Sequence, residues 1–385
     1  MGSTRFARLG GVALLIAAGL GVLTAAPATA APPDDHRIVT YYQTHYYSDG
    51  SFVSLRPLVD QATGVTDVVV GAIHLNATPG DLHLNDFAPD DPYFDPVWAD
   101  LAYVRAHGVR VLGMLGGAAP GTFTRLDTDF ATYYPELHDF IATYGLDGLD
   151  LDVEEPMSLA GIERLIDRLR ADFGPDFLLT LAPVPGALSG GSNLSGFDYQ
   201  QLYADRGDDI AWFNTQFYCG NGDLTGTAGY DAIIANGFPA SKVVAGTITN
   251  AGNCGSGYIP FDTVQQVTRE LTAKYPDFGG VMGWEYFNSD PDGQAAPWRW
   301  AALLRDAMIP AQQPGSGGAA VPAVPAMPGA TAVEDTAAAG GTTELAATGA
   351  DAPPPFALAL ALLAGGAAAL VVRRRRARRG KVGAA

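Results

Sequence analysis

Asp147-Gly148-Leu149-Asp150-Leu151-Asp152-Val153-Glu154 puts carboxylates at alternate positions of a stretch suited to a strand. Side chains along a strand alternate faces. Asp150, Asp152 and Glu154 therefore share one face, and Leu149, Leu151 and Val153 share the other. Three acids on one face repel one another, so at least one keeps its proton at a pH where a free carboxyl ionises. A carboxyl tuned in this way can act as a general acid. A solvated acidic edge and a Ca²⁺ site are the competing explanations. An edge strand does not require apolar residues at every other position, and the Ca²⁺ loop pattern needs a Gly turn after its third acid. Asp147 has the opposite parity, which suits a structural role.

The elements that must position these acids follow from the alternation of patterns along the chain. Strands are expected at Arg37–Tyr42, Asp67–Leu75, Val109–Leu115, Leu146–Glu154, Phe177–Pro183, Ile210–Tyr218, Val243–Thr249 and Gly280–Tyr286. Helical patterns fall at Leu55–Ala62, Pro96–Ala106, Phe130–Tyr144, Leu159–Phe173, Tyr199–Ala204, Tyr230–Asn236, Thr263–Lys274 and Trp298–Met308. In Leu159–Phe173 the apolar residues Leu159, Ile162, Leu165, Ile166 and Leu169 have the i, i+3, i+4 spacing of a core-facing helix. Strand alternating with helix in this way predicts an α/β fold, a single (β/α)8 TIM barrel. A doubly wound open sheet is the alternative, but it would usually carry a Gly-rich phosphate turn after an early strand, and none is present. Active residues of such a barrel sit at the C-terminal ends of its strands, where Glu154 falls. Gln216 and Tyr218 share a face of their strand, and Trp284 lies near the end of the last one. Tyr41 or Tyr42 would face the acids from the first strand, and parity alone does not choose between them.

The acidic run resembles the D-G-x-D-x-D-x-E signature of glycoside hydrolase family 18, the chitinases and endo-β-N-acetylglucosaminidases. All five defined positions are present, and the resemblance extends from about Arg37 to about Met308. It implies that Glu154 protonates the glycosidic oxygen while the substrate's own 2-acetamido oxygen attacks the anomeric carbon. Asp152 would orient the acetamido N–H, Asp150 would share a proton with Asp152, and Tyr218 would hold the acetamido carbonyl. Water then attacks with Glu154 as base, so configuration is retained. Gln216-Phe217-Tyr218 resembles the family's Q-x-Y, with Cys219 standing where Asn is frequent. Trp284 resembles the aromatic floor beneath the sugar. Met114-Leu115-Gly116-Gly117 lies where S-x-G-G is common, so Met114 replaces a Ser while Gly116 and Gly117 still allow close backbone approach. The short interval between Thr249 and Thr263 leaves no room for the α+β insertion domain of some chitinases. An open groove and endo-type cleavage of chitin oligosaccharides are expected, with the chitobiose core of N-glycans as the alternative substrate. A non-catalytic chitin-binding lectin or a surface adhesin on the same barrel are the non-enzymatic alternatives. Neither a cofactor nor a metal is implied, and a monomer is expected.

Both ends of the chain read as addresses. Arg5 and Arg8, an apolar run from Val12 to Leu23 and Ala28-Thr29-Ala30 suggest a signal peptide over residues 1–30. Residues 31–310 would then form the catalytic domain, and the Ala/Pro/Gly-rich residues 311–343 a flexible linker. Within residues 344–385, Leu345-Ala346-Ala347-Thr348-Gly349 precedes an apolar run from Phe356 to Val372 and a cluster of arginines. This resembles an LAxTG-type sortase sorting signal, with sortase and cell-wall peptidoglycan as partners. A retained membrane span is the alternative. Either case places the enzyme outside the cell, on the surface of a Gram-positive bacterium. Loss of both ends would remove nine of 23 basic and one of 41 acidic residues, taking the net charge from −18 to −26. That charge disfavours nucleic acid as a partner and leaves neutral glycans compatible. Cys219 and Cys254 are the two cysteines, and in an exported chain a disulfide is the natural reading, with two buried thiols as the alternative.

Overall fold

The computed structural model describes residues 36–309, so the expected signal peptide, the linker and the sorting segment lie outside the described residues. Eight parallel strands close into a barrel: β1 (Arg37–Tyr42), β2 (Asp67–Leu75), β4 (Arg110–Gly116), β5 (Gly148–Asp152), β6 (Leu178–Leu181), β7 (Trp212–Gln216), β8 (Val243–Ile248) and β9 (Gly280–Trp284). A short strand, β3 (Leu82–Leu84), hairpins back antiparallel on β2. Pairing of β1 with both β2 and β9 closes the ring. This is the expected (β/α)8 barrel. Between β8 and the helix Phe261–Lys274 lies only the short turn Ala251–Asn253.

Both faces of the strands are buried, and apolar residues dominate them except where polar side chains point into the barrel. In β1, Ile38 and Tyr42 pack outward beneath the helices, whereas Val39 and Tyr41 point inward. The same alternation sends Leu149 and Leu151 outward from β5 and Asp150 and Asp152 inward. The helix Leu159–Phe173 buries Ile162, Leu165, Ile166 and Leu169 and starts at Ser158, whose hydroxyl accepts from the Gly161 N–H. That is an N-cap bond satisfying one of the helix's orphan donors.

The floor of the barrel is closed by Trp212, with the Arg37 guanidinium 4.6 Å from its ring centroid and that of Arg110 5.5 Å away. Arg110 also pairs with the fully buried Asp67 at 2.7 Å. Sealing this end leaves the opposite rim as the mouth of the barrel.

The structure departs from the expected elements mainly at ends and short pieces. β5 stops at Asp152, whose ladder partner on β4 is Gly116, while its pairing with β6 ends one residue earlier at Leu151 and Leu181. Glu154 thus lies just beyond the strand. The strand β3 and the helices Thr122–Thr128 and Pro185–Leu188 were not anticipated. Each is too short for a periodic pattern to emerge. Among the described residues no helix is long and apolar enough to cross a membrane. The apolar run at 356–372 lies outside them.

Candidate active site

At the mouth, the acids of β5 meet different environments according to their depth. Asp150 is fully buried and accepts three hydrogen bonds: from the Tyr41 hydroxyl at 2.5 Å, the Thr180 hydroxyl at 2.5 Å and the Asn214 amide at 2.9 Å. Burial pushes its carboxyl above the usual carboxylate range, and the three donors oppose that shift. Asp152, 5% exposed, accepts from Gln216 Nε2 at 2.9 Å. Burial drives its carboxyl well upward, and the nearby charges of Glu154 and Asp150 add to the effect. Glu154 is only partly buried and reaches the same Gln216 nitrogen at 3.2 Å. That nitrogen also donates to the Ala182 carbonyl at 2.7 Å. An amide has two N–H groups, so three acceptors share two protons and Gln216 ties both acids to β6.

These groups open into a cavity of about 570 Å³ whose lining includes Tyr41, Gly116, Asp152, Glu154, Gln216, Tyr218 and Trp284. Tyr218 has no side-chain hydrogen bond among the described residues. Burial, followed by the charges of Asp152, Glu154 and Asp150, pushes its hydroxyl well above the usual phenol range. It is therefore a neutral donor available to a ligand. Trp284 borders the cavity beside Tyr41, with ring centroids 5.5 Å apart. Such a flat, half-buried ring offers an apolar face on which a sugar can lie.

Gly116 and Gly117 hold the adjacent wall. Gly116 has φ +92°, and a β-carbon there would lie 2.7 Å from the Asp152 carbonyl oxygen and closer still to Phe123. The Gly117 N–H donates to that same carbonyl at 2.9 Å. Gly116→Ala is expected to destabilise the protein by about 1–3 kcal/mol through overpacking, read as a lowered midpoint in thermal unfolding.

The expected site residues Glu154, Asp152, Asp150, Tyr218, Gln216, Trp284, Tyr41 and Gly116 thus converge on one end of the barrel. Tyr42 does not. Strand parity turns it outward, where its hydroxyl donates to the Val53 carbonyl at 2.7 Å and its ring packs on His45 and Tyr286. Among the described hydrogen bonds none joins Asp150 to Asp152, because the donors around Asp150 come from Tyr41, Thr180 and Asn214. Cys219 and Cys254 form the expected disulfide, with Cα atoms 5.7 Å apart.

Several supporting residues escaped the sequence reading. Thr180 lies opposite Asp150 in the β5–β6 ladder, and Asn214 has the same strand parity as Gln216. Parity was the available signal for Asn214, and register was needed for Thr180. Two buried glutamates brace neighbouring loops. Glu285 accepts from the Gln43 and Thr44 N–H groups at 3.0 and 2.7 Å and from the Thr44 hydroxyl at 2.8 Å. Glu155 accepts from the Gly121 and Phe123 N–H groups and the Thr124 hydroxyl, each within 2.8 Å. Glu155 follows Glu154 directly, yet the reversal of side fixes a loop instead of lining the cavity.

The family model for glycosyl hydrolases family 18 matches residues 37–254, more than half of the chain. The chain belongs to glycosyl hydrolase family 18. Within family 18 it is similar to a solved fungal endo-β-N-acetylglucosaminidase, with 48% identity and a TM-score of 0.68 over 71% of this chain and 98% of that one. It is similar also to the chitinase ChiC of Aspergillus fumigatus, with 49% identity and a TM-score of 0.66 over 71% of this chain and 99% of the other. Chitinase 2 of Rhizopus oligosporus is 29% identical over 212 residues, 49% of this chain and 36% of the relative. The chain spans 36%, 47% and 62% of the lengths of the first curated relatives it matches. The family 18 match includes the acid strand, Gln216, Tyr218 and both cysteines, whereas Trp284 lies beyond it.

Proposed function

We propose that this family 18 protein is a retaining glycosidase that cleaves β-1,4 linkages after N-acetylglucosamine, with chitin oligosaccharides as substrate. The observation that carries the reading is the unequal setting of the two carboxylates lining the cavity. Asp152 is buried, bonded to Gln216 and biased towards its protonated form, which makes it a poor nucleophile. Glu154 reaches the cavity from the partly exposed position of a proton donor. A nucleophile supplied by the substrate's acetamido group fits this arrangement, as in the substrate-assisted exception to the two-carboxylate scheme.

In this mechanism Glu154 protonates the leaving oxygen. The acetamido oxygen closes on the anomeric carbon to form an oxazolinium ion. Tyr218 donates to that group and Asp152 accepts from its N–H, while Gln216 keeps Asp152 in place and the charge of Asp150 raises its hold on a proton. Glu154 then takes a proton from the attacking water, restoring the original anomeric configuration. Cleavage of N-glycan chitobiose cores is the second reading, favoured by the 48% identity to a fungal endo-β-N-acetylglucosaminidase. The terminal motifs of the sequence support export and attachment to the surface of a Gram-positive bacterium, through sortase and peptidoglycan or a retained span.

Incubation with chitin oligomers and a high-mannose glycoprotein, read by mass spectrometry, distinguishes the substrates. Shortened oligomers from the wild type but not from Glu154→Gln are expected. Glycan release leaving one N-acetylglucosamine on the protein would establish the second reading. If every substrate stays intact with both proteins, the hydrolase reading falls and a lectin replaces it. The anomer first released, followed by NMR, tests retention.

A further inference from the structure

We infer that the Cys219–Cys254 disulfide is a positioning device for the reaction, clamping the loop 250–258 so that Tyr218 and the Trp284 segment keep a fixed spacing across the cavity. The inference rests on the role proposed above for Tyr218. Cys219 directly follows Tyr218 and itself lines the cavity. Its φ of +55° lies in the left-handed region that residues with a β-carbon avoid. What holds it there is the loop. The Cys219 N–H donates to the Ser256 carbonyl at 3.1 Å, and the disulfide reaches Cys254. The loop backbone also presses on Tyr218 itself: a β-carbon on Gly257 would lie 2.7 Å from the Tyr218 Cα.

The other side of the loop is tied to the end of β9 and the segment that follows it. Asn253 Nδ2 donates at 3.1 Å to the Trp284 carbonyl and to the Thr249 hydroxyl. Asn250 Nδ2 and the Tyr258 hydroxyl donate to Asp290 at 3.1 and 2.7 Å. Cys254, Tyr258 and Trp284 pack against the same interior cluster as Tyr41 and Tyr218. The loop thus bridges the two walls of the cavity. Ala251, Gly252, Gly255 and Ser256 are exposed, so apolar burial holds little of it. The covalent link carries the connection to Tyr218, and without it Cys219 is free to leave its left-handed conformation and take Tyr218 with it.

The test is a double-mutant cycle in the inert Glu154→Gln protein, with an N-acetylglucosamine tetramer titrated calorimetrically. Cys219→Ser/Cys254→Ser and Tyr218→Phe are each expected to weaken binding about tenfold, and together by little more than either alone, a coupling within the range of contacting residues. Losses that multiply, or no loss from the cysteine pair, would overturn the clamp while leaving the Tyr218 role standing. No loss from Tyr218→Phe would remove the role of Tyr218 and the clamp with it. If the serine pair does not fold, a phosphine reductant replaces it, with circular dichroism following the fold. Reduction should weaken binding reversibly with Tyr218 present and have little effect in the Tyr218→Phe protein. An equal response in both overturns the proposal.

Discussion

Glu154→Gln is expected to lower kcat about 10²–10⁴-fold while changing KM little. Glutamine matches glutamate in size and keeps an oxygen to accept from Gln216 Nε2, now 3.2 Å from Glu154 Oε1. The folded structure and ground-state binding should therefore survive. What is lost is the proton delivered to the leaving oxygen, which matters only as that bond breaks. A change confined to the transition state lowers kcat and kcat/KM together. Steady-state kinetics on chitin oligomers measures both constants. A turnover number within a few-fold of wild type would exclude Glu154 as the acid.

Asp152→Asn has the second large expected effect, about 10²–10³-fold in kcat, the scale of removing one electrostatic contact to a developing charge. The amide preserves shape but can never ionise as positive charge develops on the oxazolinium ion, which the carboxyl of Asp152 can. The same substitution should change the dependence of stability on pH. Burial, Glu154 and Asp150 hold the Asp152 carboxyl well above the usual carboxylate range in the folded protein. In the unfolded chain it ionises near its ordinary value of about 4. The unfolded state therefore sheds this proton first, and the contribution to stability is full below that pH. It declines as pH rises through the folded value. Asp152→Asn removes this decline, so its unfolding midpoint should fall less than that of wild type between acid and neutral pH. Asp150, Asp67 and Glu285 are also shifted upward by burial, so some decline remains. Parallel pH profiles for the two proteins would show that Asp152 is not desolvated as described.

The legible parts of the fold were those with a local repeat. β2 and the helix Leu159–Phe173 follow from uninterrupted apolar and i, i+3, i+4 patterns, and their bounds agree with the expected ones. β3 has three residues, too few to display a period, and exists because β2 offers it an edge. Within the site, the common face of Asp150, Asp152 and Glu154 was legible because strand parity needs no knowledge of neighbours. The choice between Tyr41 and Tyr42 was not. Adjacent residues differ only in which face points inward, and barrel closure decides that.

The chain by itself determined the chemistry on offer: alternating acids, a paired Gln216 and Tyr218, and eight strand–helix patterns that bury both faces of each strand. These depend on residue type and on periods of a few residues. Tertiary structure alone decided the ranking of the acids. Burial lifts the Asp150 carboxyl while donors from Tyr41, Thr180 and Asn214 on three other strands oppose that shift, and Glu154 is open because β5 ends before it. Ionisation and hydrogen bonding depend on what lies within a few ångströms in space, and those neighbours are distant in sequence.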